Sequence, residues 1–180
     1  MKTFLIIFLI YILITLGCNK KSTDPEPVSE SHLSITGDVT ESYQVTALFG
    51  TSTYTADTIE KEYFTLLLFP NVEGSNPLAF TMLYKSGTGL PATESYHIDE
   101  YALGEDKPAN HFGGGFSGIN TEGFGGYKLN QGTINFKSVS ESVNSGELDV
   151  SGYWAQGVAE DTTRTVILSG KIHAIPMPEN

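Results

Sequence analysis

Apolar and polar residues alternate along most of this chain, with a period of two. In Leu33–Phe49 the odd positions Leu33, Ile35, Val39, Tyr43, Val45, Ala47 and Phe49 are apolar, and most even positions are polar. Successive strand side chains point to opposite faces, so the run predicts two strands with a bend near Glu41–Ser42. Tyr63–Phe69 is a continuous apolar run stopped by Pro70. It is too short for a typical helix and suits a strand buried on both faces. Leu78, Phe80, Met82 and Tyr84 alternate again and predict its pairing partner. Ser95–Ile98 predicts a short strand with Tyr96 and Ile98 inward and His97 outward. In the last third, Gly132–Val139 carries Ile134 and Phe136 on one face. Glu147–Trp154 carries Leu148, Val150 and Trp154, and Arg164–Ile175 carries Val166, Leu168, Ile172 and Ala174. With a turn at Asn144–Gly146, these three predict an antiparallel meander.

A period of 3.6 is nearly absent. The best helical candidate is Ala56–Tyr63, at most two turns. The pattern therefore predicts one all-β domain of about nine strands with little helix. An antiparallel β-sandwich is the preferred architecture, and a small closed β-barrel is the alternative.

The first residues follow a different pattern. Lys2 precedes an unbroken run of apolar residues and Thr, Phe4–Leu16, which ends in Thr15-Leu16-Gly17-Cys18. The run falls short of the about 20 apolar residues that span a bilayer and fits the apolar core of a signal peptide. It resembles a bacterial lipoprotein signal, in which the cysteine is diacylated and becomes the first mature residue. Gly17 and Cys18 match that signal. Thr15 and Leu16 stand where it usually has Leu and a small or β-branched residue. Cys18 is the sole cysteine of the chain. The resemblance implies a signal peptide over 1–17, lipid attachment (palmitate among the acyl chains) at Cys18, and a tether over 18–31. The domain then spans 32–175, followed by a loose tail over 176–180. Asn19 in place of Asp, by the same resemblance, directs the protein to the outer membrane of a Gram-negative envelope. With Gly-x-Ile-x-Phe at Gly132–Phe136 and Gly-x-Leu-x-Val-x-Gly at Gly146–Gly152, the chain resembles small all-β lipoproteins of the Bacteroidetes type, a group without assigned function.

Charge narrows the partners. The net charge is −11, which lacks the basic footprint that nucleic-acid phosphates require. Glycine is abundant at 19 residues, and several glycines fall in motif-like settings. Gly113–Gly118 satisfies G-x-G-x-x-G, but Ile119–Gly123 starts no helix, and a dinucleotide site needs one. Gly115–Ile119 fails the nucleophile-elbow pattern at its fifth residue. Phe112-Gly113-Gly114 recurs as Phe124-Gly125-Gly126. The structural reading is a hairpin whose glycines let backbones approach. The functional reading is an exposed aromatic platform of Phe112, Phe116, Phe124 and Tyr127, extended by Tyr153 and Trp154, for a sugar or a peptide. Trp154 itself is expected in the core, with an exposed ligand anchor as the competing reading.

His97 and Asp99 lie on one strand face, two residues apart, the start of a metal site that no second tight histidine pair accompanies. Asp99, Glu100, Glu105 and Asp106 crowd one loop, where oxygen ligands suit calcium, without EF-hand spacing. A glycosidase needs two flanking carboxylates, and nothing selects a pair among 21 acids. The expected function is a lipid-anchored envelope lipoprotein acting as a non-enzymatic binding or structural module, with a glycan or protein as ligand. The alternatives are a glycan-active enzyme using acidic residues and a calcium-stabilised adhesion module.

Overall fold

The computed structural model describes residues 30–56, 59–71, 80–100, 108–120, 123–156 and 159–178. Cys18, Glu105, Asp106 and Leu78 lie outside them. Nine strands run in chain order: β1 Ser31–Gly37, β2 Glu41–Ala56, β3 Ile59–Pro70, β4 Phe80–Ser86, β5 Ser95–Ile98, β6 His111–Asn120, β7 Gly123–Val139, β8 Asn144–Gln156 and β9 Ala159–Pro176. The described residues contain no helix. The all-β expectation, with about nine strands and little helix, holds.

The strands form one mixed sheet with the order β1-β2-β3-β4-β6-β5-β7-β8-β9, and β1 hydrogen-bonds both β2 and β9. The connectivity is therefore that of the closed alternative, a ring of strands rather than two separate sheets. Two short strands act as wedges. β1 separates β2 from β9, which then meet in parallel over Ala47–Phe49 and Ala174–Pro176. β5 separates β6 from β7, parallel to one and antiparallel to the other, and those two pair directly from Gly114 and Leu129 onward. Ser31 spans the first seam. Its hydroxyl donates to the His173 carbonyl at 3.1 Å and accepts from the His173 N–H at 2.7 Å.

The helical expectation for Ala56–Tyr63 is overturned. Thr51–Ala56 and Ile59–Phe64 are the two arms of a hairpin, in register from Ala56 opposite Ile59 to Val45 opposite Pro70. Thr51, Thr53, Tyr54 and Thr55 suit a pleated surface, and cross-strand bonds outweigh a two-turn helical preference.

Alternation sorts the side chains as the pattern requires. Leu33 and Ile35, Ala47 and Phe49, Leu66 and Leu68, Ile134 and Phe136, Leu148 and Val150, and Val166 and Leu168 all point inward and are buried. The core is strongly aromatic. Phe112 meets Tyr96 edge-on at 5.2 Å between ring centres and Phe64 edge-on at 6.2 Å, and lies 6.0 Å from Phe136. Such edge-to-face contacts add to the area each ring buries. In β7 the inward parity changes along the strand. Tyr127 and Leu129 face the core, and after a bulge between Leu129 and Gln131 the inward residues are Ile134 and Phe136. A bulge inserts one unpaired residue and so exchanges the faces.

Candidate functional site

The outer face of β4, β6, β7 and β8 carries a groove of 390 Å³. Directly paired residues share a face, so register identifies its floor and walls. Met82 pairs with Gly115, Gly115 with Lys128, and Lys128 with Tyr153. One step along, Ser117 pairs with Gly126 and Gly126 with Ala155. Met82 and Tyr84 form one wall and Lys128 borders the other. Between them Gly115 and Gly126 contribute no side chain, which makes a depression in an otherwise pleated surface. A Cβ at Gly115 would meet only the Tyr127 carbonyl oxygen, at 3.4 Å, and one at Gly126 only that of Ala155, at 3.2 Å. The Gly115 contact is an ordinary one, and the Gly126 contact is tight. Gly114 differs. It faces inward, where a Cβ would lie 2.6 Å from Leu83 Cδ2 and 2.7 Å from the Met82 carbonyl oxygen. The glycines of this region thus do two jobs: Gly114 admits close packing, and Gly115 and Gly126 leave a hollow.

The aromatic platform expected from the same motif is not what the rings form. Phe112, Phe116 and Tyr127 point into the core and are 0–5 % exposed. Phe116 stacks on Tyr127 at 5.8 Å between ring centres. Alternation explains this, because Gly115 and Gly126 occupy outward positions while Phe112, Phe116 and Tyr127 take inward ones. The Phe124 side chain lies outside the described residues.

Tyr153 is on the outer face but buried beside a charged group at the groove's border. Lys128 Nζ lies 2.6 Å from Glu100 Oε1 and 3.6 Å from Glu160 Oε1. The hydrogen bond from Lys128, then that from Tyr153, holds the Glu100 carboxyl below its ordinary pKa, and Glu100 in turn holds the Lys128 ammonium above its own. Burial, then the bond to Glu100, raises the Tyr153 phenol. A depressed carboxyl contributes stability in full above its unfolded value of about 4.3, and that contribution is lost as pH falls through the lower folded value. A carboxylate-resolved NMR titration is expected to place the Glu100 midpoint below that of a free glutamate. Lys128→Met is expected to move it back upward; an unmoved midpoint would break the assignment.

The acids proposed for calcium part company here. Glu100 serves Lys128, whereas Asp99 Oδ2 lies 2.9 Å from His111 Nε2. His111 and His97 are direct partners in the parallel β5–β6 pairing, with ring centres 5.6 Å apart. Sequence spacing alone does not reveal His111 as the neighbour of His97 and Asp99. The register supplies it. Among the described residues no three histidine, cysteine or acidic side chains already converge on a metal-sized point.

Trp154 takes neither of its two expected places. It is half-buried, packed against the core, and its ring lies 5.1 Å from the Arg164 guanidinium carbon. Arg164 Nε donates to Asp38 Oδ2 at 3.1 Å, and the Tyr127 hydroxyl donates to the same oxygen at 3.4 Å. The Asp38 bond holds the guanidinium above its ordinary pKa. This pair covers the core at the end where β1 turns into β2. Native tryptophan emission is expected to be moderately blue-shifted, and Arg164→Ala to shift it red by uncovering the ring. Trp154→Ala is expected to cost less than the about 3–5 kcal/mol of emptying a fully buried aromatic site. Emission equal to free tryptophan in the native protein would refute this placement.

No family model matches the chain, and comparison with curated proteins and with solved structures yields no significant match to either.

Proposed function

We propose that the protein is a lipid-anchored lipoprotein of the Gram-negative outer membrane, held by Cys18, whose domain is a non-enzymatic binding module. The observation that carries the binding reading is the glycine-floored groove, with Met82 and Tyr84 as an apolar wall and Lys128 at its border. Small-ligand sites join apolar walls to a few placed polar groups in this way. The wall suits an apolar ring or a sugar face, and Lys128 and Ser117, which both line the groove, offer hydrogen bonds to its polar edge. The anchoring reading rests on the leader sequence and its single cysteine.

Two experiments test the proposal. Cys18→Ser is expected to move the protein from the membrane to the soluble fraction and to abolish fatty-acid labelling; labelling that persists would end the lipoprotein reading. For the groove, melting points are compared across glycans and peptidoglycan fragments, since a ligand that prefers the native state raises them. Gly115→Val fills the hollow from a position with room for a Cβ. It is expected to leave the melting point unchanged without ligand and to remove any ligand-induced rise. A rise that survives Gly115→Val would place the ligand elsewhere.

A further inference from the structure

His97, Asp99 and His111 form a constellation that the binding reading does not use. His97 and Asp99 project outward from β5 and the segment after it, because Tyr96 and Ile98 take the inward positions. His111 projects outward at the start of β6, because Phe112 is inward. Parallel pairing sets His97 beside His111. A backbone bond from Asp99 N–H to the Phe112 carbonyl, 3.0 Å, continues the pairing and brings the Asp99 carboxylate onto the His111 ring. Two imidazoles and one carboxylate are thereby held on one face by backbone hydrogen bonds rather than by a loose loop.

The geometry points to a site for a divalent first-row transition ion, with His97, His111 and Asp99 as ligands and the remaining positions open to water. The distances fit the chemistry. With Zn–N bonds of about 2.0–2.1 Å and a tetrahedral angle, two coordinated imidazoles hold their ring centres about 5 Å apart. Those of His97 and His111 are 5.6 Å apart. Asp99 Oδ2 and His111 Nε2 stand at 2.9 Å, a hydrogen bond that an ion inserted between them lengthens by a few tenths of an ångström. That direct bond occupies the place the ion would take, and the three donors do not already converge. His97 is exposed and Asp99 half-buried, so closing onto an ion calls for side-chain rotation at the surface. The ion takes the place of the hydrogen between carboxylate and imidazole, and ligation uses the neutral imidazole. Imidazole with carboxylate and open positions suits zinc and its neighbours better than calcium, which prefers six to eight oxygens.

The test uses the full chain in detergent solution and Zn²⁺ as the probe, followed by isothermal titration calorimetry. Saturable binding of one ion per chain is expected. His97→Ala and His111→Ala are each expected to weaken it by ~10-fold or more. His32→Ala, which removes a histidine engaged with Ser42, is expected to change nothing. Melting points without ion establish that each variant is folded. Should His111→Ala fail to fold, the exposed His97→Ala together with Asp99→Asn decides the matter. No saturable binding to the natural chain, or affinity kept within about threefold in either histidine variant, or loss in His32→Ala, overturns the assignment.

Discussion

Phe112→Ala is expected to lower the free energy of unfolding by about 3–5 kcal/mol, measured by urea denaturation. The ring is fully buried and projects into the core from the start of β6. Tyr96, Phe64 and Phe136 all pack against it. Truncation removes the transfer energy of the ring and leaves a cavity walled by three other aromatics, which cannot collapse without tilting out of their edge-on contacts. Domains of this size are stable by only about 5–15 kcal/mol, so the variant would retain a small margin. A loss below about 1 kcal/mol would show that the ring is not closely packed in solution.

Gly132→Ala is expected to cost more than about 2 kcal/mol, although it adds a single methyl group. Gly132 follows the bulge of β7 with φ of +113°, a conformation that side-chain-bearing residues rarely adopt. Its Cβ would lie 2.2 Å from the Asp149 carbonyl oxygen and 2.6 Å from Val150 Cα, both backbone atoms of β8. Neither can move without breaking the β7–β8 ladder. Gly89→Ala is the matched control, since nothing lies within 4 Å of its Cβ, and it is expected to fall within ±0.5 kcal/mol of the natural protein. Equal melting points for the two variants would contradict the backbone geometry at the bulge.

The contrast between these glycines explains what could be read from the sequence. Period-two alternation placed Leu33, Ile35, Ile134, Phe136, Leu148, Val150, Val166 and Leu168 on inward faces, because one buried face per strand imposes that period. The C-terminal meander was legible for this reason. The length of β7 was not. Its two halves are inward at opposite parity across the bulge, so the run looks like a glycine-rich hairpin followed by a separate strand. Ala56–Tyr63 looked helical because its partner, the far arm of β2, is a tertiary fact. The groove was hidden more deeply, since it consists of missing side chains. Gly115 and Gly126 stand in neighbouring pairs on one face only once the β6–β7 register is fixed. His111 carries no sequence signal as a neighbour of His97, because short parallel pairings such as β5–β6 leave no spacing signature in the chain.

The seam at β1 has a consequence for how the molecule comes into being. Ser31 and His173 are 142 positions apart in sequence, yet they are bonded to one another. As synthesis proceeds from the N-terminus, every other strand exists before the partner that joins the two ends. Until β9 arrives, β1 and β8 each present a row of unpaired amides and carbonyls, the surface on which strands of different molecules join. Contacts so remote in sequence also slow folding, because the chain loses loop entropy before any bond repays it. The last 18-residue strand is therefore a latch. The yield of folded protein, as distinct from its stability once folded, rests on how soon that final segment becomes free to pair.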